Sequence, residues 1–206
     1  MKAQAFFTAN TRSLVSLPIM SSTGGKYAHT GILFTCNYHD FLVLQVNNPS
    51  VDWSDIPTDT DGKCRFYFES VSKKDVITKK SGVRGPLPLN KLCKWHHISP
   101  KTHKFMLLDI HCCNQEDMIP FLITATRDIK YAFRQIWRNW LTFRWNKGTP
   151  LSKRSADKWT CSETVARTVA HADPKYAIRV LKVGKFLYDD YAPSSPKGAG
   201  IYELIK

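Results

Sequence analysis

The chain has 206 residues, 43% of them hydrophobic and 12% aromatic, which is enough apolar material for a buried core and excludes disorder as its general state. Lys and Arg number 30 against 17 Asp and Glu, and the formal net charge of +13 marks a molecule that attracts polyanions: nucleic acid, an anionic membrane face or an acidic partner. The longest uncharged apolar stretch, 118–125, is short of the about 18 residues a membrane helix needs, and no basic-then-apolar leader pattern is present. The expectation is one domain over 1–206, with a core at about 13–171 and a C-terminal extension at 172–206, located in the cytoplasm of the producing cell or an infected host. The six cysteines are expected as free thiols, since a chain of this size with a core does not need disulfides.

In chain order, the first half reads as sheet. Strands are predicted at 13–20 (SLVSLPIM), 27–36 (YAHTGILFTC) and 40–46 (DFLVLQV), separated by turn-forming residues. After a polar loop at 47–62, strand character returns at 64–71 (CRFYFESV), 75–78 and 104–111 (KFMLLDIH). From about Glu116 the period changes. Ile129, Phe133, Ile136, Trp137, Trp140 and Leu141 recur at helical spacing with Arg127, Lys130, Arg134 and Arg138 between them, which predicts an amphipathic helix over 127–144 with a basic outer face. A polar connector at 146–158 leads to a second helix from Cys161 or Ser162 to His171, ended by Asp173-Pro174. Residues 200–205 are expected to add one edge strand. The expected class is α+β: an antiparallel, partly barrel-like sheet against two helices.

Two patterns place reactive side chains where the backbone can assist them. His29 sits in the strand segment Tyr27-Ala28-His29-Thr30-Gly31-Ile32, just after a Gly-Gly turn, and Cys161 opens the helix that begins Cys161-Ser162-Glu163-Thr164-Val165. A thiol at a helix N-terminus lies at the positive end of the dipole, beside unpaired N–H groups that favour the thiolate and can receive an oxyanion. An imidazole within reach would complete the pair. Each residue also has a structural reading, Cys161 as a small buried side chain and His29 as a satisfied core histidine. Ser162 and Glu163 read equally as ordinary first-turn helix formers.

The order of these motifs resembles the circularly permuted papain-like cysteine hydrolases of the NlpC type, a group that includes the lecithin:retinol acyltransferase-like enzymes and has bacterial and viral branches. The resemblance rests on His29-Thr30-Gly31-Ile32, Leu44-Gln45-Val46, Gly82-Val83-Arg84-Gly85-Pro86-Leu87, Phe105-Met106-Leu107-Leu108 and Cys161-Ser162-Glu163-Thr164-Val165, and covers about residues 13 to 171. It implies Cys161 as nucleophile, His29 as general base and Gln45 as the residue that orients the imidazole. It also implies a permuted papain-like fold, a peptide, peptidoglycan or lipid-type acyl substrate, and no metal or organic cofactor. Two departures are visible. Gln45 stands where the family commonly has Glu, so the imidazolium gains no negative charge from it. Trp145-Asn146-Lys147-Gly148-Thr149-Pro150 replaces the usual Gly and Tyr-Asp stretch before the nucleophile.

Two further groupings compete for function. His96, His97, His103, His111, Cys112 and Cys113 crowd one segment, but no ligand spacing among them fixes a zinc tetrahedron. Basic residues gather at Lys73, Lys74, Lys79, Lys80 and Arg84, along 127–144, and at Lys147, Lys153, Arg154 and Lys158. Interleaved aromatics make a non-catalytic binder of nucleic acid or of an acidic partner protein the alternative function. The same charge, close before Cys161, is expected to lower the thiol pKa or to attract an anionic substrate.

Overall fold

The computed structural model describes residues 1–9, 28–72, 81–95, 104–112, 114–134, 155–182 and 202–204. Strands β1 (Lys2–Ala9), β2 (His29–Asn37), β3 (Lys63–Val71), β4 (Gly82–Pro88), β5 (Lys104–Ile110), β6 (Lys130–Tyr131), β7 (Lys158–Trp159) and β8 (Tyr202–Leu204) form one sheet in the order β7-β6-β4-β3-β2-β1-β5-β8. All neighbours are antiparallel except β6 and β7, which run parallel through Lys130 opposite Lys158 and Tyr131 opposite Trp159. The helices are α1 (Tyr38–Asn47), α2 (Leu89–Trp95), α3 (Met118–Asp128), α4 (Cys161–Ala172) and α5 (Pro174–Lys182). The arrangement is α+β.

The strand period of two sorts side chains into two layers. Ala3, Ala5 and Phe7 of β1, Ile32 and Phe34 of β2, Phe66 and Phe68 of β3, and Leu108 and Ile110 of β5 all enter the main core, with Met118, Ile119, Leu122 and Ile123 of α3 and Val165, Ala166 and Val169 of α4. The alternate residues Phe6, Leu33 and Tyr67 form a smaller cluster with Leu92 of α2 on the other face. Phe121 of α3 stacks on Trp159 at 5.7 Å and on His171 at 4.5 Å between ring centroids, which fixes α4 at both ends. Among the described residues no helix is long and apolar enough to cross a membrane.

The expected strands at 27–36, 64–71 and 104–111 are present as β2, β3 and β5, and the expected edge strand near the C-terminus is β8, paired to β5. Two expectations are overturned. Residues 40–46 form helix α1, because the Asn37 side chain accepts from the Asp40 N–H at 2.7 Å and starts a helix where β2 ends. Only Phe41 of that apolar run is buried, against Trp53 and Phe66, while Leu42, Val43 and Val46 are exposed. Nor does a helix run unbroken from Arg127. Helix α3 stops at Asp128, Ile129 turns extended at φ −92° and ψ 122°, and Lys130 then pairs with Gly82 at the sheet edge. The expected strands at 13–20 and 75–78, and most of the 127–144 segment, lie outside the described residues.

Candidate active site

Cys161 is the first residue of α4, and its position is held from several directions. Thr160 is the N-cap with extended backbone (φ −82°, ψ 173°), and it exchanges two hydrogen bonds with Glu163: the Glu163 N–H donates to Thr160 Oγ1 at 3.3 Å, and the Thr160 N–H donates to Glu163 Oε2 at 2.7 Å. This is a complete capping box, so the structural reading of Glu163 as a first-turn residue describes it well. One residue earlier, the Ser70 hydroxyl donates to the Trp159 carbonyl at 3.2 Å, tying the approach to the helix to the end of β3. The Trp159 indole donates to the Ala156 carbonyl at 3.0 Å and carries the Arg167 guanidinium 5.2 Å above its ring.

His29 begins β2. Its Nε2 lies 2.6 Å from Oε2 of Glu69, a fully buried carboxylate on β3 whose residue neighbours that of Gly31 in the ladder. Arg84 on β4 holds the other oxygen, with its Nε–H donating to Glu69 Oε1 at 2.8 Å and its Nη2 closing on the same atom. A carboxylate withdrawn from water must be paired, and here it is shared between an imidazole and a guanidinium on its two sides. Gly31 permits the close register, since a Cβ there would meet the Phe68 carbonyl at 2.5 Å and the Phe6 ring at 2.4 Å. The Phe6 ring lies beside the imidazole, 6.1 Å between centroids.

His29 and Gly31 therefore belong to the Phe6 and Tyr67 layer, whereas α4 covers the opposite layer. The backbone N–H of Thr30, one residue from His29, lies near enough to the Cys161 sulfur to favour its thiolate, as do the N–H groups at the start of α4. These contacts favour the thiolate, but burial outweighs them and, with the negative charge of Glu163, lifts the Cys161 pKa to about 11. The expected depression of the thiol pKa is thus reversed: a helix N-terminus offers a fraction of a charge, while burial removes water from all of it. Tyr131, in the neighbouring strand β6, also stays protonated well above its ordinary value through burial and the proximity of Cys161 and Glu163. A phenol in that state is a hydrogen-bond donor.

The sequence-predicted site residues separate as follows. The backbone of Thr30, next to His29 in β2, lies close to Cys161, while the His29 ring is engaged by Glu69 and Phe6. Gln45 sits on helix α1, half-buried, and its carbonyl accepts from the Asn48 N–H at the helix end. That corrects its assignment to a strand beside the histidine; the side chain that engages the imidazole is Glu69. Glu69 has a sequence signal in hindsight, being the lone acid inside the apolar alternation of 64–71, with Arg84 the lone base in the segment that pairs beside it. Of the histidine and cysteine cluster, His111 is exposed and Cys112 half-buried just after β5; His96, His97, His103 and Cys113 lie outside the described residues, as do Lys147, Lys153 and Arg154. No group of side chains suited to a metal ion occurs among the described residues. Compared with known proteins, the chain matches no family model, no curated protein and no solved structure.

Proposed function

We propose that this chain is a cysteine-dependent hydrolase or acyltransferase, acting on an amide, ester or thioester within a permuted papain-like domain. The observation that carries the proposal is the clamped His29 imidazole one residue from the Thr30 amide that faces the Cys161 sulfur. With Nε2–H donated to Glu69, the lone pair rests on Nδ1, and His29 acts as general base from that nitrogen. Cys161 gives its proton to His29 as Sγ attacks the carbonyl carbon. The tetrahedral oxyanion is received by backbone N–H groups at the start of α4, and the imidazolium returns the proton to the departing amine, alcohol or thiol. Water, or an acceptor in the transferase case, then releases the acyl group from sulfur by the same two residues in reverse. Glu69 takes the orienting role first assigned to Gln45. Because burial keeps the thiol protonated at rest, charge develops on sulfur only on attack.

The buried, neutral thiol equally favours a second reading, in which the same scaffold is a non-catalytic basic binder of nucleic acid or an acidic protein. One experiment separates the two. Iodoacetamide at neutral pH, read by peptide mass spectrometry, is expected to label Cys161 ahead of the other cysteines, with the advantage lost in His29→Ala. Slow labelling at Cys161 that His29→Ala leaves unchanged overturns the catalytic reading.

A further inference from the structure

A cavity of about 540 Å³ opens between β6 and the first turn of α4, within the size range of small-molecule sites. The described residues that line it are Tyr131, Ala132, Phe133, Arg134, Ser155, Lys158 and Glu163. Its chemistry is graded from inside to outside. Ala132 and Glu163 are buried and Tyr131 is half-buried, whereas Phe133, Arg134, Ser155 and Lys158 are exposed. Cys161 lies in the same first helical turn as Glu163, the acid that lines the inner end. The one acid of the inner end is committed to the helix cap through the Thr160 N–H. At the outer end two cations stand without a carboxylate in ion-pair contact among the described residues, although Lys158 lies in the field of Asp157. Phe133, 46% exposed, supplies an apolar surface between them and the inner end.

We infer that this cavity selects anionic acyl substrates, holding a carboxylate or phosphate at Arg134 and Lys158 while the reacting carbonyl reaches inward toward Cys161. The inference rests on the catalytic reading above and adds the substrate class. Two cations at a concave mouth raise the local concentration of an anion and orient it, so that its neutral end enters first. A neutral chain of similar length gains only the contact with Phe133. An elongated acyl compound with an anionic terminus fits this gradient; a cationic one is repelled at the entrance.

Iodoacetate and iodoacetamide test this on the intact protein, because they differ in one carboxylate and react alike: Sγ bonds to the CH2 carbon, iodide leaves, and the thiol proton passes to the base. The quantity read is the ratio of the two rates at Cys161, with cysteines of the urea-unfolded chain as the intrinsic reference. The expected ratio favours iodoacetate over that reference by roughly fivefold to tenfold, as two partly solvated cations allow. It is expected to return to the reference in the Arg134→Gln, Lys158→Gln double variant, and to shrink at about 0.5 M salt, where charges are screened within a few ångströms. A ratio equal to the reference, or one that the double variant does not move, overturns the inference and leaves the catalytic reading standing. Failure of Cys161 to react with either reagent faster than the other cysteines overturns both.

Discussion

Nε2 of His29 and Oε2 of Glu69 lie 2.6 Å apart, and the carboxylate has no exposure to water. The imidazole is therefore fixed in tautomer and orientation by a residue on β3, the strand paired with its own. Glu69→Gln keeps the shape but removes the acceptor charge and invites the wrong tautomer. Turnover is expected to fall by roughly 10²- to 10⁴-fold, by analogy with the loss of the acid in a Ser-His-Asp triad. Stability is also expected to fall, since Arg84 would keep its charge without its partner, and breaking a buried pair costs about 3–5 kcal/mol. Turnover measured below the variant's own melting temperature separates the two effects.

Arg84 holds the other oxygen of Glu69 and so competes with His29 for its charge. Glu69 on β3 lies against this imidazole, and Arg84 on β4 holds the same carboxylate. Arg84→Gln removes one competitor for the carboxylate, which stabilises imidazolium and moves the acid limb of kcat/KM to higher pH, by about one unit. Arg84→Lys restores the charge but not the forked contact, and its limb is expected between the two. A pH profile that is unchanged in both variants would remove Arg84 from the mechanism.

Burial raises Cys161 to about 11 and Cys36 likewise to about 11, with the Cys64 charge adding to the shift at Cys36. Each folded thiol thus holds its proton more tightly than in the unfolded chain. The resulting stabilisation is complete below the ordinary value of 9.0 and is withdrawn as pH rises toward 11, at about 2–3 kcal/mol per thiol. Urea midpoints taken between about pH 8 and pH 11 are expected to fall, and to fall less steeply in Cys161→Ala. Equal slopes in the two proteins would contradict the burial-raised thiol.

Gly31 stands between Phe6 of β1 and Glu69 of β3 in the two ladders. A methyl group there would strike the Phe68 carbonyl and the Phe6 ring, and backbone cannot retreat as a side-chain tip can. Gly31→Ala is expected to cost about 1–3 kcal/mol, the usual range for overfilled interiors, and to spread β2 from β3. Because His29 and Glu69 sit on those two strands, the loss of turnover is expected to exceed what the loss of folded protein explains. Thermal melts together with activity per folded molecule provide the check.

Much of the sheet was legible because its strands obey a period of two with strongly apolar inward positions: Ile32, Phe34, Phe66, Phe68, Leu108 and Ile110 all fall where alternation puts them. Helix α4 was legible from its cap and from the small apolar residues of its inward face. The failures share a cause, which is that local propensity was overruled by the element next door. The run Leu42-Val43-Leu44 has strand-forming residues, yet one asparagine at the end of β2 commits it to a helix. Ile129 continues a helical pattern, yet the open edge of β4 captures the following residues as strand. Glu69 could not be chosen over Gln45 without knowing that β3 lies beside β2. Nor does the helix-start position of Cys161 report how deeply its sulfur is buried, which decides the direction of its pKa.

Strand β1 lies between β2 and β5, so its two hydrogen-bonded edges are filled by segments of very different ages during synthesis. The first partner arrives with residues 29–37, the second only with residues 104–110, and until then one side of a strand rich in phenylalanine remains unpaired. The order of emergence thus leaves β1 half-paired until β5 has been made, an interval in which the nascent chain presents an adhesive edge to its surroundings. His29 leaves the ribosome before Cys161, and the helix that carries the sulfur docks on strands β2 and β3 made before it. A ribosome-bound intermediate would accordingly carry His29 before Cys161 is added.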